Sequence, residues 1–150
     1  MPQSLSKVIV HIIFSTKNRA PWLDALIRSR VHAYLATICR DLGSEVLRVG
    51  GVADHVHIIM TLPRTYSQSQ SIEEIKKPSS KWIKSLDVRD RGFFWQRGYG
   101  IFSVSPSQLE TVLDYVHKRE EHHRTHTFQE EYRELLRKHG IEFDEQYVWD

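Results

Sequence analysis

The stretch Gly50-Gly51-Val52-Ala53-Asp54-His55-Val56-His57-Ile58-Ile59-Met60 constrains the fold most, because it reads as a strand with two different surroundings. Side chains alternate faces along a strand, so His55 and His57 point one way while Val56, Ile58 and Met60 point the other. Apolar residues fill the rest of the strand, and Gly50-Gly51 allows a tight turn and close backbone approach just before it. The imidazoles ask for something else. Two residues apart on one strand, their nitrogens converge well enough to hold one divalent ion, and neutral histidine is the commonest protein metal ligand. Two histidines hydrogen-bonded to neighbours leave the same pattern, so the pair is half of a metal site.

The 150 residues fit a single domain, 1–150, with a sizeable core. No apolar run approaches the roughly 18 residues of a membrane span, and Met1-Pro2-Gln3-Ser4 leads straight into a strand-like segment. A cytoplasmic location without a membrane partner is expected. Cys39, the one cysteine, lies in an apolar helical pattern, which agrees with a reducing compartment and a core-filling role.

A net charge of +2 and a pI of about 8.7 do not by themselves indicate nucleic-acid binding. Local clustering says more. Lys17 and Arg19 follow the first strand, and Lys76, Lys77, Lys81 and Lys84 crowd a helical segment around Ser79, Ser80 and Trp82. Basic side chains interleaved with hydroxyls and an aromatic suit a phosphate backbone and a stacked base. A solvated helix face carries the same lysines.

Along the chain, strands and helices alternate. Residues 7–15 form a β-branched, apolar run, and residues 21–42 carry apolar positions at helical spacing with Gly43 as a stop. Residues 45–52 and 55–62 predict a hairpin about Ala53-Asp54. After a polar loop, a helix over 71–86 contains Pro78, which predicts a kink. Residues 93–104 read as an aromatic-rich strand, Ser105-Pro106-Ser107 as the start of a helix to about Arg124, and residues 128–139 as a last helix closed by Gly140. The order β-α-β-β-α-β-α-α predicts an α+β fold, a ferredoxin-like (RRM-like) antiparallel sheet with a C-terminal helical extension. Its first and third strands are central, so the histidines sit mid-sheet.

In the helix after the fourth strand, Leu109, Val112, Leu113 and Val116 make an apolar stripe, and Tyr115 falls on its edge. A tyrosine there covers the core rim, or delivers its oxygen to a substrate bound at the histidines.

His55-Val56-His57 followed by Tyr115 on that helix resembles the insertion-sequence-200-like single-tyrosine transposases. The resemblance extends to His11-Ile12-Ile13-Phe14-Ser15-Thr16-Lys17, Ser79-Ser80-Lys81-Trp82, Trp95-Gln96-Arg97-Gly98-Tyr99-Gly100, Glu120-Glu121-His122-His123 and the tail from Lys138 to Asp150. It implies strand transfer on single-stranded DNA bearing a hairpin. In such enzymes a divalent cation, Mg²⁺ or Mn²⁺, held by His55 and His57 polarises the scissile phosphate, and Tyr115 attacks to leave a 5′-phosphotyrosine and a free 3′-hydroxyl. It also implies a homodimer in which the Tyr115 helix of one subunit lies over the histidine pair of the other. Lys76, Lys77, Lys81 and Arg119 are the expected DNA contacts.

The chain departs from the family at Arg119, where a third metal ligand, Gln, is usual. A guanidinium has no lone pair to donate, which leaves Glu120, His122 or a water to complete the shell, or Arg119 to contact phosphate. The alternative reading is a catalytically impaired regulator that binds hairpin DNA. A histidine-triad hydrolase would need a third histidine at the position of Ile59.

Overall fold

The computed structural model describes residues 2–122 and 126–150, with the side chains of 119–122 excepted. Four strands, β1 (Ile9–Ser15), β2 (Val46–Gly51), β3 (His55–Thr61) and β4 (Gly100–Val104), form one antiparallel sheet in the order β2-β3-β1-β4. The expected central pair is the observed one, with His57 opposite Ile13 and His55 opposite Ser15. Helices α1 (Arg28–Asp41), α2 (Gln68–Leu86), α3 (Leu109–His122) and α4 (Phe128–Lys138) complete the described elements.

Strand alternation divides the sheet between two layers. Val10, Ile12 and Phe14 of β1 and Val56, Ile58 and Met60 of β3 pack with Val31, Leu35 and Cys39 of α1 and Ile72, Ile75 and Ile83 of α2. On the opposite face, Ile9, Ile59 and Val104 meet Val116 of α3, while Ile13 and Phe102 meet Phe128, Tyr132 and Leu136 of α4. The C-terminal extension is therefore the second layer over the sheet.

Two glycines set how closely this layer approaches. A Cβ on Gly50 would lie 2.9 Å from Val116, so its absence lets α3 rest directly on β2. Gly51, at φ +141°, turns the chain where a Cβ would sit 2.3 Å from the His55 carbonyl oxygen.

Local chemistry moves several boundaries from their expected places. The first helix begins at Arg28 because Asp24 Oδ1 accepts the Leu26 and Ile27 amides and holds a turn ahead of it. The second begins at Gln68, where Ser67 and Gln70 form a reciprocal capping box. It also runs unbroken through Pro78, since Ile75, Ser79 and Ile83 bury the turns on both sides and the Ser79 hydroxyl donates to the Ile75 carbonyl at 2.6 Å. The aromatic segment from Phe93 is mostly not strand. Only Trp95 bridges to Thr16 before β4, because Phe93 and Trp95 turn into the α1/α2 core. After β4 a single 3₁₀ turn, Pro106–Gln108, returns the chain so that α3 lies on its own sheet. Within the single chain the apolar stripe of α3 packs on Ile9, Ile59 and Val104. No helix among the described residues is long and apolar enough to cross a membrane.

Candidate active site

Both histidines of β3 are fully buried on the face covered by α3 and α4. Their Nε2 atoms converge on one carboxylate, Glu131 of α4, with His57 Nε2 2.9 Å from Oε1 and His55 Nε2 3.3 Å from Oε2. Two imidazoles and a carboxylate, their ligand atoms all within 4.8 Å of one another, fit a divalent cation with coordination positions left for water or substrate oxygen. Glu131 stands where the sequence, with Arg119 unable to serve as a ligand, pointed to Glu120, His122 or a water; the side chains of Glu120 and His122 lie outside the described residues. Its signal was present in the chain. Glu131 shares the buried face of α4 with Phe128, Tyr132 and Leu136, and a carboxylate on an otherwise apolar stripe needs a partner.

The far nitrogen of each imidazole is also held. His55 Nδ1 donates to Asp54 Oδ1 at 2.7 Å, which leaves Nε2 to face Glu131 or to offer its lone pair to a cation. His57 Nδ1 lies 2.8 Å from His11 Nε2, a buried side chain of β1. Burial, helped by the adjacent His57, lowers the His11 pKa to about 3, so His11 is neutral. Without a cation, His57 Nε2–H donates to Glu131; when a cation takes the place of that proton, the proton sits on His57 Nδ1 and a neutral His11 accepts it at Nε2.

Glu131 is an anion. Burial alone would raise its pKa, but hydrogen bonds from His55 and His57 outweigh that and hold it far below the carboxylate range. The same pairing works on His55. Burial opposes its charged form, and the Asp54 and Glu131 carboxylates reverse the balance to raise its pKa.

Tyr115 completes the cluster. Its hydroxyl donates to Glu131 Oε1 at 2.5 Å, and its ring lies edge-on to His57 at 6.0 Å between centroids. Tyr132 is buried in the apolar layer, which pushes its phenol up to about 12.

The basic residues divide differently from the expectation. Lys76, expected at the DNA, is engaged within the chain: its ammonium donates to the carbonyls of Gln96, Arg97 and Gly98 at 2.8, 3.2 and 2.7 Å and lies 4.9 Å from the Phe14 ring centroid. It ties α2 to the loop before β4. Burial draws its pKa down to about 8. Lys77 and Lys81 are exposed, Lys77 in an ion pair with Glu73. Trp82, considered for base stacking, instead lies parallel to Tyr34 of α1 at 4.4 Å. The Arg119 side chain is outside the described residues.

Comparison with known proteins agrees with this geometry. Residues 4–119 match the family described as Transposase IS200 like. The chain belongs to the IS200-like transposase family. It is 28% identical over 118 residues to the transposases for insertion sequence element IS200 of Salmonella typhimurium and Salmonella typhi, covering 74% of this chain and 76% of each relative. Among solved structures, a protein assigned as a transposase from Deinococcus radiodurans aligns with TM-score 0.62 at 19% identity, over 79% of this chain and 97% of that one. A REP-associated tyrosine transposase bound to a REP hairpin aligns with TM-score 0.61 at 18% identity, over 82% and 73%. At those identities the structural likeness speaks for the fold. As an IS200-like transposase the chain is an enzyme of DNA transposition.

Proposed function

We infer that the protein cuts and rejoins single-stranded DNA beside a hairpin, with Tyr115 as the nucleophile. The convergence of the Tyr115 hydroxyl, His57 and His55 on Glu131 carries this reading. Phenol has an ordinary pKa near 10 and needs a base to attack at neutral pH. Glu131, an anion in hydrogen-bond contact with that hydroxyl, accepts the proton as the tyrosine oxygen bonds to phosphorus. The bond to O3′ breaks, and O3′ leaves as a hydroxyl after taking a proton from water. The 5′-phosphotyrosine conserves the phosphoester for a new 3′-hydroxyl, so no nucleotide cofactor enters the reaction.

His55, His57 and Glu131 would hold the divalent cation, Mg²⁺ or Mn²⁺, with the imidazoles favouring Mn²⁺. When bound, such an ion offsets charge on the non-bridging oxygens of the phosphate. Asp54 and His11 keep the imidazole lone pairs aimed at that position.

Exposed Lys77 and Lys81 on α2, with Arg119, are the residues we assign to DNA phosphates. Hairpin-bearing DNA is the assigned substrate, in keeping with the REP hairpin held by the structural neighbour. We also propose a cytoplasmic location with the DNA, and a homodimer through the outer edge of β4. In that dimer the Tyr115 helix of one subunit lies over the His55/His57 pair of the other; sedimentation measures the assembly, and mixing His57→Ala with Tyr115→Phe restores activity only if the sites are shared. The rival reading, a catalytically impaired hairpin-binding regulator, drew its support from Arg119 as a missing ligand, and Glu131 removes that support.

The deciding experiment mixes the protein with hairpin-bearing single-stranded DNA and Mg²⁺ or Mn²⁺ and looks for a denaturant-resistant protein–DNA adduct. Wild type forms it, Tyr115→Phe does not, and excess EDTA suppresses it. An adduct of full yield from Tyr115→Phe rejects the nucleophile, and undiminished cleavage in EDTA rejects the metal.

A further inference from the structure

A groove of about 440 Å³ opens between α3 and α4 along β4, walled by Phe102, Ser103, Gln108, Tyr115, Leu135 and His139. Tyr115 and Glu131 mark one end through their mutual hydrogen bond. His139, the residue after α4, lies eight positions beyond Glu131, or roughly 12 Å along the helix at 1.5 Å per residue. The groove thus starts at the nucleophile and extends about the length of a nucleotide or two. Its volume falls in the range of small-molecule pockets, with an apolar floor and a few polar groups, as such pockets usually have.

We propose that this groove holds the nucleotide on the 3′ side of the cleaved phosphate, the one that remains attached to Tyr115 through the phosphotyrosine. The proposal rests on the strand-transfer reading and adds to it a site for one base. In-line displacement puts the attacking tyrosine oxygen and the departing O3′ on opposite sides of phosphorus. The 5′-side nucleotide therefore departs away from Tyr115, whereas the 3′-side nucleotide keeps its P–O5′ bond and stays beside the tyrosine. The groove that Tyr115 itself lines lies on that side.

Two features suit the groove to a nucleobase. His139 is exposed and stacks on the buried Phe102 ring, with centroids 4.5 Å apart and planes 24° apart, which makes a preformed aromatic platform at the groove wall. The hydrogen bond between His139 Nδ1 and the Leu135 carbonyl, 2.9 Å, fixes the imidazole plane. Across from it, Gln108 offers an amide donor and acceptor together, the pair that reads a base edge. Lys138, also lining the groove, supplies a cation for the next phosphate along the strand. Holding the attached nucleotide keeps the phosphotyrosine aligned while one 3′-hydroxyl leaves and another arrives.

The test uses hairpin-bearing single-stranded DNA whose cleaved position has been mapped from the adduct, with binding measured by fluorescence anisotropy in Tyr115→Phe protein so that nothing turns over. An abasic site at the 3′-side nucleotide should weaken binding about tenfold, within the range for loss of one stacked base. The same change on the 5′ side should leave affinity within about twofold. Adding His139→Ala should abolish the difference between intact and abasic DNA, and Gln108→Ala should flatten the preference among bases at that position. Both side chains are exposed, so neither change threatens the fold. Equal affinity for intact and 3′-abasic DNA, or a gap that survives both substitutions, overturns the groove assignment. If wild type forms no adduct with hairpin DNA, the strand-transfer reading falls and the groove falls with it; an adduct without the abasic effect overturns the groove alone.

Discussion

The two faces of one sheet are buried to the same degree and filled with opposite chemistry. Toward α1 and α2, β1 and β3 present only apolar side chains: Val10, Ile12, Phe14, Val56, Ile58 and Met60. Toward α3 and α4, the same strands present His11, His55 and His57 between two smaller apolar clusters. Burial gives cohesion on the first face, because hydrocarbon removed from water needs no partner. On the second it fixes protons. Each buried imidazole must find a hydrogen bond, and those bonds decide which nitrogen keeps its lone pair.

Paired substitutions test this division, starting with the largest effect. Phe14→Ala opens a cavity among fully buried side chains and should cost about 3–5 kcal/mol in urea unfolding. Tyr115→Phe removes one hydroxyl from a carboxylate that still bonds His57, so it should cost about 1 kcal/mol or less. It should nevertheless abolish the covalent adduct. If Tyr115→Phe destabilises as much as Phe14→Ala, the second face is structural too and the division fails.

A finer test lies within the second face. His11→Leu removes the acceptor that sets the His57 tautomer and should weaken Mn²⁺ binding about 10- to 100-fold by calorimetry, the usual cost of losing an orienting partner. His11→Gln, whose Oε1 can reach the position of the imidazole acceptor, should recover most of it. Equal affinities for wild type and His11→Leu would reduce the 2.8 Å contact to packing.

How much of this could be read from the chain follows the same division. Period-2 alternation exposed the shared face of His55 and His57, because that depends on local geometry alone, and the order of strands and helices gave the central pair. Tyr115 was legible as a polar residue at the rim of a helical stripe. Glu131 was not found, because it is distant in sequence and only packing of α4 brings it to the histidines; its place on an apolar face was the available sign. His11 stood inside an apolar strand whose register with β3 no local pattern specifies. The contacts of Lys76 were hidden for the reverse reason. Its neighbours on α2 face solvent, and the three carbonyls that engage it belong to a loop some twenty residues on.

That contrast along α2 is the next prediction. Lys76→Met should cost about 1–3 kcal/mol by leaving partly buried carbonyls without a donor, and it should change DNA affinity less than it changes stability. Lys81→Ala should be nearly neutral in stability yet weaken DNA binding for all sequences alike and lower the salt slope by about one. Opposite results would return Lys76 to the DNA-binding set.

Cys39 probes the apolar face, where burial outweighs the neighbouring Arg40 guanidinium. Burial pushes its pKa from 9.0 up to about 12, so the folded state holds the thiol proton more tightly than the unfolded chain does. Below pH 9 both states are protonated and the thiol leaves stability independent of pH. Between pH 9 and 12 the unfolded chain loses its proton while the folded state keeps it, and each pH unit in that window should lower stability by up to about 1.4 kcal/mol relative to Cys39→Ala. Urea unfolding of both proteins at pH 8 and pH 10 measures the difference, and iodoacetamide at pH 8.5 should label the unfolded chain while sparing the native one. Parallel pH profiles for the two proteins would mean that water or a cation reaches Cys39, and that the α1/α2 face is not the purely apolar layer that distinguishes it from the face bearing the histidines.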